Sequence, residues 1–540
     1  MKTMGAIQSV TDRMLSALIS SFIILCIFLP TEVSAGVVCE NPYSPFLLEN
    51  IGMPDEPADP GNLSSKTKGT QKAKIYTVFN SDILGCAGYR SYHPDAEYIE
   101  NDEVVELLKE KCKGVEFIIG DPSMEAIQAQ KDELDGLLCL GQPTEEMVST
   151  GLPLVSVYRL WGQWHPNFGN LKNDYQFYKK ERKVLTSCLP VIPDKDPSVY
   201  EARIDDLANK INLISAIKQM DGLRILVITD KPPLGFYEPT AFQYQYDYSS
   251  REAYEKAFVK NLDKIFGTKL VTIPQADLLE KTKAQDDEKS KAIAGEWIRE
   301  AAGVRGTNES EIQRSAKLYL AIKELMKAHN CGAVTCEGYN WPPGGFRDYL
   351  PAQGMATAQL LYDGTVAVSE TLLNSLITMH LGYSITGRMA LNGDFFIDPF
   401  QNIAMVMHCE APLNPYGDKR KMQYRIRNLP FYDEPNIGGA VVQVNYPVGE
   451  KVTLTKIDIM NKKIFVCCGE TVSYKNSYPH IDDQICRTKL FIKTNTEALE
   501  LKDDFKSFAQ HRLVYFGDYR EDFINLGKAL GFEVVEGDKL

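Results

Sequence analysis

Basic residues are in short supply: 59 Lys and Arg stand against 72 Asp and Glu over 540 residues, a net charge of -13. A field of that sign repels phosphate polymers and anionic bilayers, so no nucleic-acid partner is expected and a neutral or cationic ligand fits better. The 12 cysteines are too few for a disulfide scaffold in a chain this long. No C-x-x-C pair occurs, and the adjacent Cys467 and Cys468 lack metal-binding spacing, which leaves buried apolar thiols as their reading. Internal repeats and low-complexity tracts are missing too.

The apolar run Ile19–Leu29 falls short of the roughly 20 residues that cross a bilayer. Lys2 and Arg13 precede it and Val33-Ser34-Ala35 follows as a small-residue cleavage site, so residues 1–35 are expected to be a signal peptide for periplasmic or secreted export. A retained N-terminal anchor is the alternative. Residues 36–73 are rich in Pro, Gly, Ser and Lys with no apolar period, and are expected to be a linker or surface arm.

What is present is a folding composition: 44% apolar residues and 10% aromatics supply large cores. At a prior of roughly 150 residues per domain, about three domains are expected. From Lys74 short apolar runs alternate with amphipathic ones: Lys74–Phe79, Asp102–Cys112, Val115–Ile119, Met124–Leu134 and Gly136–Leu140. That alternation predicts a parallel sheet with helical crossovers. Asp196–Met220 reads as a long helix leading away from this unit. A second α/β unit begins at the apolar run Leu223–Thr229, passes through three helical segments and ends on the strand at 332–335. After a helix near Leu372–Leu381, short β-type runs at close spacing predict an antiparallel sheet or small barrel.

Four side chains stand at strand ends in this pattern. Glu337 follows the apolar strand 332–336 and precedes a Gly- and Pro-rich loop. Glu370 follows Thr365–Ser369 and precedes a helix, where backbone N–H groups favour an anion. His408 ends the run Ile403–Met407, and His511 lies just before Leu513–Phe516. An exposed loop glutamate, a helix-start carboxylate and two satisfied structural histidines are the plainer alternatives. Together, two Glu and two His make an N/O ligand set suited to Mn²⁺, Co²⁺, Fe²⁺ or Mg²⁺ and unsuited to a soft metal.

Three ordered segments over the last third carry a family resemblance. They are Val366-Ala-Val-Ser-Glu370, continued by Leu381-Gly-Tyr-Ser-Ile-Thr-Gly-Arg388; Asn392-Gly-Asp-Phe-Phe-Ile-Asp-Pro399, leading into Asn402–Cys409; and Gln510-His-Arg-Leu-Val-Tyr-Phe-Gly-Asp-Tyr-Arg520. These segments resemble the L-fucose isomerase-like/L-arabinose isomerase-like superfamily. The resemblance implies two Rossmann-like parallel-sheet domains, placed at 74–200 and 201–365, and a mixed C-terminal domain at 366–540 that carries most of the site.

It further implies a metal-dependent aldose–ketose isomerase working through a metal-stabilised enediolate, with Mn²⁺ the expected ion and a homo-oligomer the expected assembly. Glu337 and Glu370 would be the paired catalytic and metal-binding carboxylates, His511 the C-terminal metal ligand and His408 a fourth. Tyr339, Trp341, Trp161 and Trp164 would stack on a sugar, and Arg159 and His165 would bond its hydroxyls. One departure stands out: many relatives place an Asp two residues after the glutamate matching Glu370, and here that position is Leu372. A carbohydrate-binding protein without catalysis, or a sugar epimerase, are the alternatives this leaves open.

Overall fold

The computed structural model describes residues 72–80, 95, 97–160, 181, 183–192, 196–230, 251–337, 350–429, 439–474, 485–502 and 508–539, all within one unit spanning 57–540. The expected leader, and all but the last two residues of the expected arm, lie outside them.

The alternating apolar runs form a five-stranded parallel sheet from β1 (Ala73–Phe79), β2 (Val115–Ile119), β3 (Gly136–Leu140), β4 (Leu154–Leu160) and β5 (Val184–Pro190), in the order β2-β1-β3-β4-β5. β3 is buried at every position, so helices must cover both faces of the sheet. The helices between strands begin at Ser123 and Thr144, whose side chains accept from Ala126 N and Met147 N and thereby stop the chain from continuing as strand.

The long helix Pro197–Lys218 does not lead away from this sheet. Its buried residues Ile204, Leu207, Ala208, Ile211 and Ile214 share one core with Ala73, Ile75, Leu138 and Val155. An apolar stripe that long returns to the nearest uncovered sheet face. The boundary expected between 200 and 201 therefore falls inside a helix that completes the first layer.

A second parallel sheet follows: β6 (Arg224–Ile228), β7 (Lys269–Ile273), β9 (Ala333–Cys336) and β10 (Val366–Ser369), ordered β10-β9-β6-β7. β10 pairs with β9 from Val366↔Ala333 to Ser369↔Cys336, so the expected boundary at 365/366 runs through the edge of this sheet and not between domains. The second of the three expected helical segments is two helices, Gln275–Lys283 and Asp287–Glu300, because Asp286 caps a new start by accepting from Lys289 N. A small third sheet joins β8 (Val304–Arg305), β13 (Tyr424–Arg427) and β14 (Val441–Val444).

The remaining strands are β11 (Leu391–Asp398), β12 (Ile403–His408), β15 (Lys451–Asp458), β16 (Lys463–Thr471), β17 (Thr488–Thr494), β18 (His511–Phe516) and β19 (Glu533–Glu536). Six of them close antiparallel in the order β15-β18-β11-β12-β17-β16, with β16 pairing back to β15, while β19 adds parallel to β16. The fold is thus α/β with two parallel sheets and an antiparallel six-stranded barrel. One core runs from the first sheet through the helices Pro197–Lys218 and Leu373–Thr386 to Leu513 and Tyr515 of the barrel wall. No helix among the described residues is long and apolar enough to cross a membrane.

Candidate metal centre

Parallel register sets the first half of the site. Ile228, Cys336 and Ser369 lie level across β6, β9 and β10. The next residues, Thr229, Glu337 and Glu370, therefore emerge together at the carboxyl edge, where α/β sheets receive ligands. At that edge the chain turns sharply: Glu370 and Thr371 both take positive φ, 63° and 53°. Neither is glycine, and a left-handed conformation costs such residues about 1–3 kcal/mol each. Thr371 N donates to Cys336 O at 3.1 Å and anchors the turn, and the fully buried Leu372 fixes the start of the helix behind it. Strain held in this way commonly marks a side chain being aimed.

The barrel supplies the second half. His408 ends β12 and His511 opens β18, two residues before the expected strand start at Leu513. Their rings meet edge-to-face with centroids 5.4 Å apart. His408 Nε2 lies 3.9 Å from Glu370 Oε1, and His511 Nε2 lies 3.7 Å from Glu370 Oε2. Among the described residues, Glu370, His408 and His511 form a group whose ligand atoms all fall within 4.8 Å of one another and could hold a metal ion.

Two further carboxylates border the group. Asp394 pairs directly with His511 across β11 and β18, and its Oδ1 lies 3.6 Å from His511 Nε2. On its other side β11 lies close against β12, because position 393 is glycine: a Cβ there would stand 2.5 Å from Met407 O. Glu410 follows His408 by two residues, with Oε2 4.0 Å from His408 Nδ1. The imidazoles are sealed at 3% and 1% side-chain exposure, whereas Glu370 and Asp394 keep 14% and 16%. Access is thus from the carboxylate side.

Burial dominates the electrostatics. It pushes the Glu370 carboxyl well up, and the neighbouring Asp394, Glu410 and Cys409 add to the shift. Asp394 is raised to about 7 by burial alone. Burial also raises Glu410 to about 7, with Ser369 opposing. His408 is lowered to about 4, and His511 is lowered well below its ordinary value by burial and by His408, Lys456 and Arg512 nearby. Two neutral imidazoles beside three crowded carboxyls are a poor protein interior and a good cation site. Among the described residues, Glu370 Oε2 and Asp394 Oδ1 are buried without a hydrogen-bond partner, which fits a cation in their midst.

Glu337 stands outside this group. Its Oε2 accepts from Thr229 Oγ1 at 2.8 Å, Asp230 N at 3.0 Å and Gln275 Nε2 at 2.8 Å, so it ties the ends of β6 and β9 to the helix after β7. Arg159, expected near a sugar, is buried in the first sheet, where its Nη2 donates to Ile99 O at 2.6 Å. Tyr339, Trp341, Trp161, Trp164 and His165 lie outside the described residues. Asp394 and Glu410 went unmarked by sequence reasoning. Asp394 lay within the quoted segment Asn392–Pro399, but only the β11–β18 register shows its partner.

No protein-family model matches the chain, and no curated protein matches it either.

Proposed function

We propose that the chain is a metal-dependent aldose–ketose sugar isomerase of the L-fucose/L-arabinose isomerase type. Glu370, Asp394, His408 and His511 would hold one divalent cation, with Mn²⁺ preferred by this mixed N/O set over softer-metal chemistry. The observation that carries the reading is the meeting of two neutral imidazoles with the Glu370 and Asp394 carboxylates at 3.6 to 3.9 Å, where the two oxygens facing His511 have no hydrogen-bond partner among the described residues. Bound there, the cation supplies Lewis-acid stabilisation for the charge of an enediolate.

The proton work falls to side chains. Isomerisation moves a proton between neighbouring carbons of an open-chain sugar, so a positioned carboxylate must take it from one carbon and return it to the other. Asp394, which pairs with His511 and keeps 16% exposure, would do both, since a bound cation keeps its carboxylate ionised. Glu370 faces the same His511 nitrogen and passes hydroxyl protons. Glu337 is the weaker candidate for a base, because Thr229, Asp230 and Gln275 already engage one of its oxygens and it lies outside the Glu370, His408 and His511 group. It orients the strand ends instead.

The five-stranded order β2-β1-β3-β4-β5 supports a doubly wound, Rossmann-like reading of the first unit, in the flavodoxin-like order. A homo-oligomer, export through residues 1–35 and sugar contacts from Tyr339, Trp341 and His165 belong to the same proposal. A binding protein without catalysis is the second reading, favoured by the buried Leu372 where the resemblance expects a carboxylate.

The test is conversion of a panel of aldoses by the Mn²⁺-loaded chain beside Glu370→Gln and Asp394→Asn. Ketose formation that falls at least a hundredfold in both variants supports the proposal. Sugar binding without conversion moves the reading to a binding protein, and undiminished activity in both variants misplaces the site.

A further inference from the structure

Glu410 contacts the far side of the His408 ring from Glu370. An imidazole that ligates through Nε2 carries its proton on Nδ1, and a buried N–H with no acceptor costs about 1–3 kcal/mol. Two groups of Glu410 face Nδ1. One is its backbone N–H, whose nitrogen is 3.4 Å away, a donor that suits only a bare Nδ1. The other is Oε2 of its carboxylate at 4.0 Å, an acceptor that becomes a hydrogen bond by closing about 1 Å.

The carboxylate has a support of its own. A hollow of about 10 Å³, room for one water-sized sphere, is lined by Glu410, Asn392, Thr357, Ala367 and Pro412 among others. Among the described residues, Glu410 Oε1 and Asn392 Oδ1 are both buried without a hydrogen-bond partner. Two acceptors bordering one such hollow are satisfied together by a water, which donates to each.

We propose that Glu410 is a positioning residue for His408: its carboxylate accepts a hydrogen bond from Nδ1–H when Nε2 takes a cation, and a buried water shared with Asn392 holds that carboxylate in place. The inference rests on the metal-site reading. It adds that the His408 ring exchanges tautomers on loading, from a form that accepts the Glu410 N–H to one that donates to the Glu410 carboxylate. Asn392 and Glu410 flank the ligands Asp394 and His408 at the same two-residue spacing, so the water links the two ligand-bearing strands from behind.

The experiment uses the full chain with ¹⁵N-labelled histidine, titrated with Zn²⁺ as a diamagnetic probe and, separately, with Mn²⁺ for affinity. Wild type should bind one equivalent, and the His408 resonances should change from the Nε2–H to the Nδ1–H pattern. Glu410→Ala should weaken binding about 10- to 100-fold, the usual cost of losing such a partner. Glu410→Gln, whose amide oxygen still accepts, should recover most of the loss and keep the tautomer change. If Glu410→Ala does not fold, Asn392→Ala takes its place with an expected three- to tenfold loss. Wild-type binding with both Glu410 variants inside twofold of it overturns the positioning role and leaves the metal site standing. A wild-type chain that binds neither ion overturns both.

Discussion

Asp394 and His511 are direct partners across β11 and β18, and Asp394 Oδ1 lies 3.6 Å from the same His511 nitrogen that faces Glu370 at 3.7 Å. One imidazole nitrogen thus looks at two carboxylates, the arrangement three ligands take around one ion. Asp394→Asn and His511→Ala should each weaken Mn²⁺ binding at least tenfold. Because both act on one ion, the double variant should lose less than the product of the two, with a coupling of about 0.5–3 kcal/mol. Calorimetric titration of the four proteins measures it.

Metal affinity should rise with pH. Asp394 keeps its proton to about pH 7 and Glu370 is raised as well, so ligation must displace protons below that pH. His408, lowered to about 4, and His511, lowered as well, add little to the window. Log affinity should climb by about one unit per pH unit up to about pH 7 from Asp394 alone, with the raised Glu370 steepening the rise. The metal-free fold should behave oppositely between pH 6.5 and 7. There the folded Asp394 and Glu410 still bind protons that the unfolded chain has released near its ordinary carboxyl range, so stability falls as pH rises. Below 6.5 the histidines oppose this, since protons then favour the unfolded state, whose His408 titrates near 6.5 and not near 4. Thermal melts with and without Mn²⁺ across this range check both signs.

Gly393→Ala should damage fold and site together. The added Cβ would meet Met407 O at 2.5 Å, a backbone atom that moves only if β11 and β12 separate. A loss of roughly 1–3 kcal/mol is expected from such overpacking, with Mn²⁺ affinity falling because Asp394 and His408 lie on the two strands forced apart. Chemical denaturation and metal titration read the two effects.

Arg512→Lys should destabilise the turn that presents His511. Arg512 is fully buried, its Nη1 donates to the carbonyls of Phe508, Ala509 and His511, and its guanidinium lies 5.3 to 5.5 Å from the rings of Phe395, Phe465 and Phe508. Lysine brings a point charge without the planar fork, so it cannot serve the same carbonyls. The expected cost is about 1–3 kcal/mol, that of leaving a buried carbonyl without its donor, read as a drop in melting temperature in both the presence and absence of metal.

The sequence makes visible whatever depends on local pattern. Alternating runs gave both parallel sheets, and the close-spaced strands after Leu391 gave the barrel. Glu370, His408 and His511 were legible because each stands where an apolar run begins or ends. What stayed hidden depends on pairing between distant segments. Asp394 looks like any strand aspartate until β18 lies beside it, and Val366–Ser369 looks like the start of a new domain until β9 claims it. Glu337 shared the strand-end signature, but Thr229 and Gln275, separated from it by 108 and 62 residues, engage its carboxylate. No single-sequence periodicity reports such partners.

The most direct test of the central claim is the stoichiometry and affinity of Mn²⁺ on the full chain, measured beside the Glu370→Gln, His408→Ala and His511→Ala variants. One ion per wild-type chain, with at least a tenfold loss in every variant, is the result these three side chains predict. Binding of equal strength and number in wild type and all three variants would contradict it.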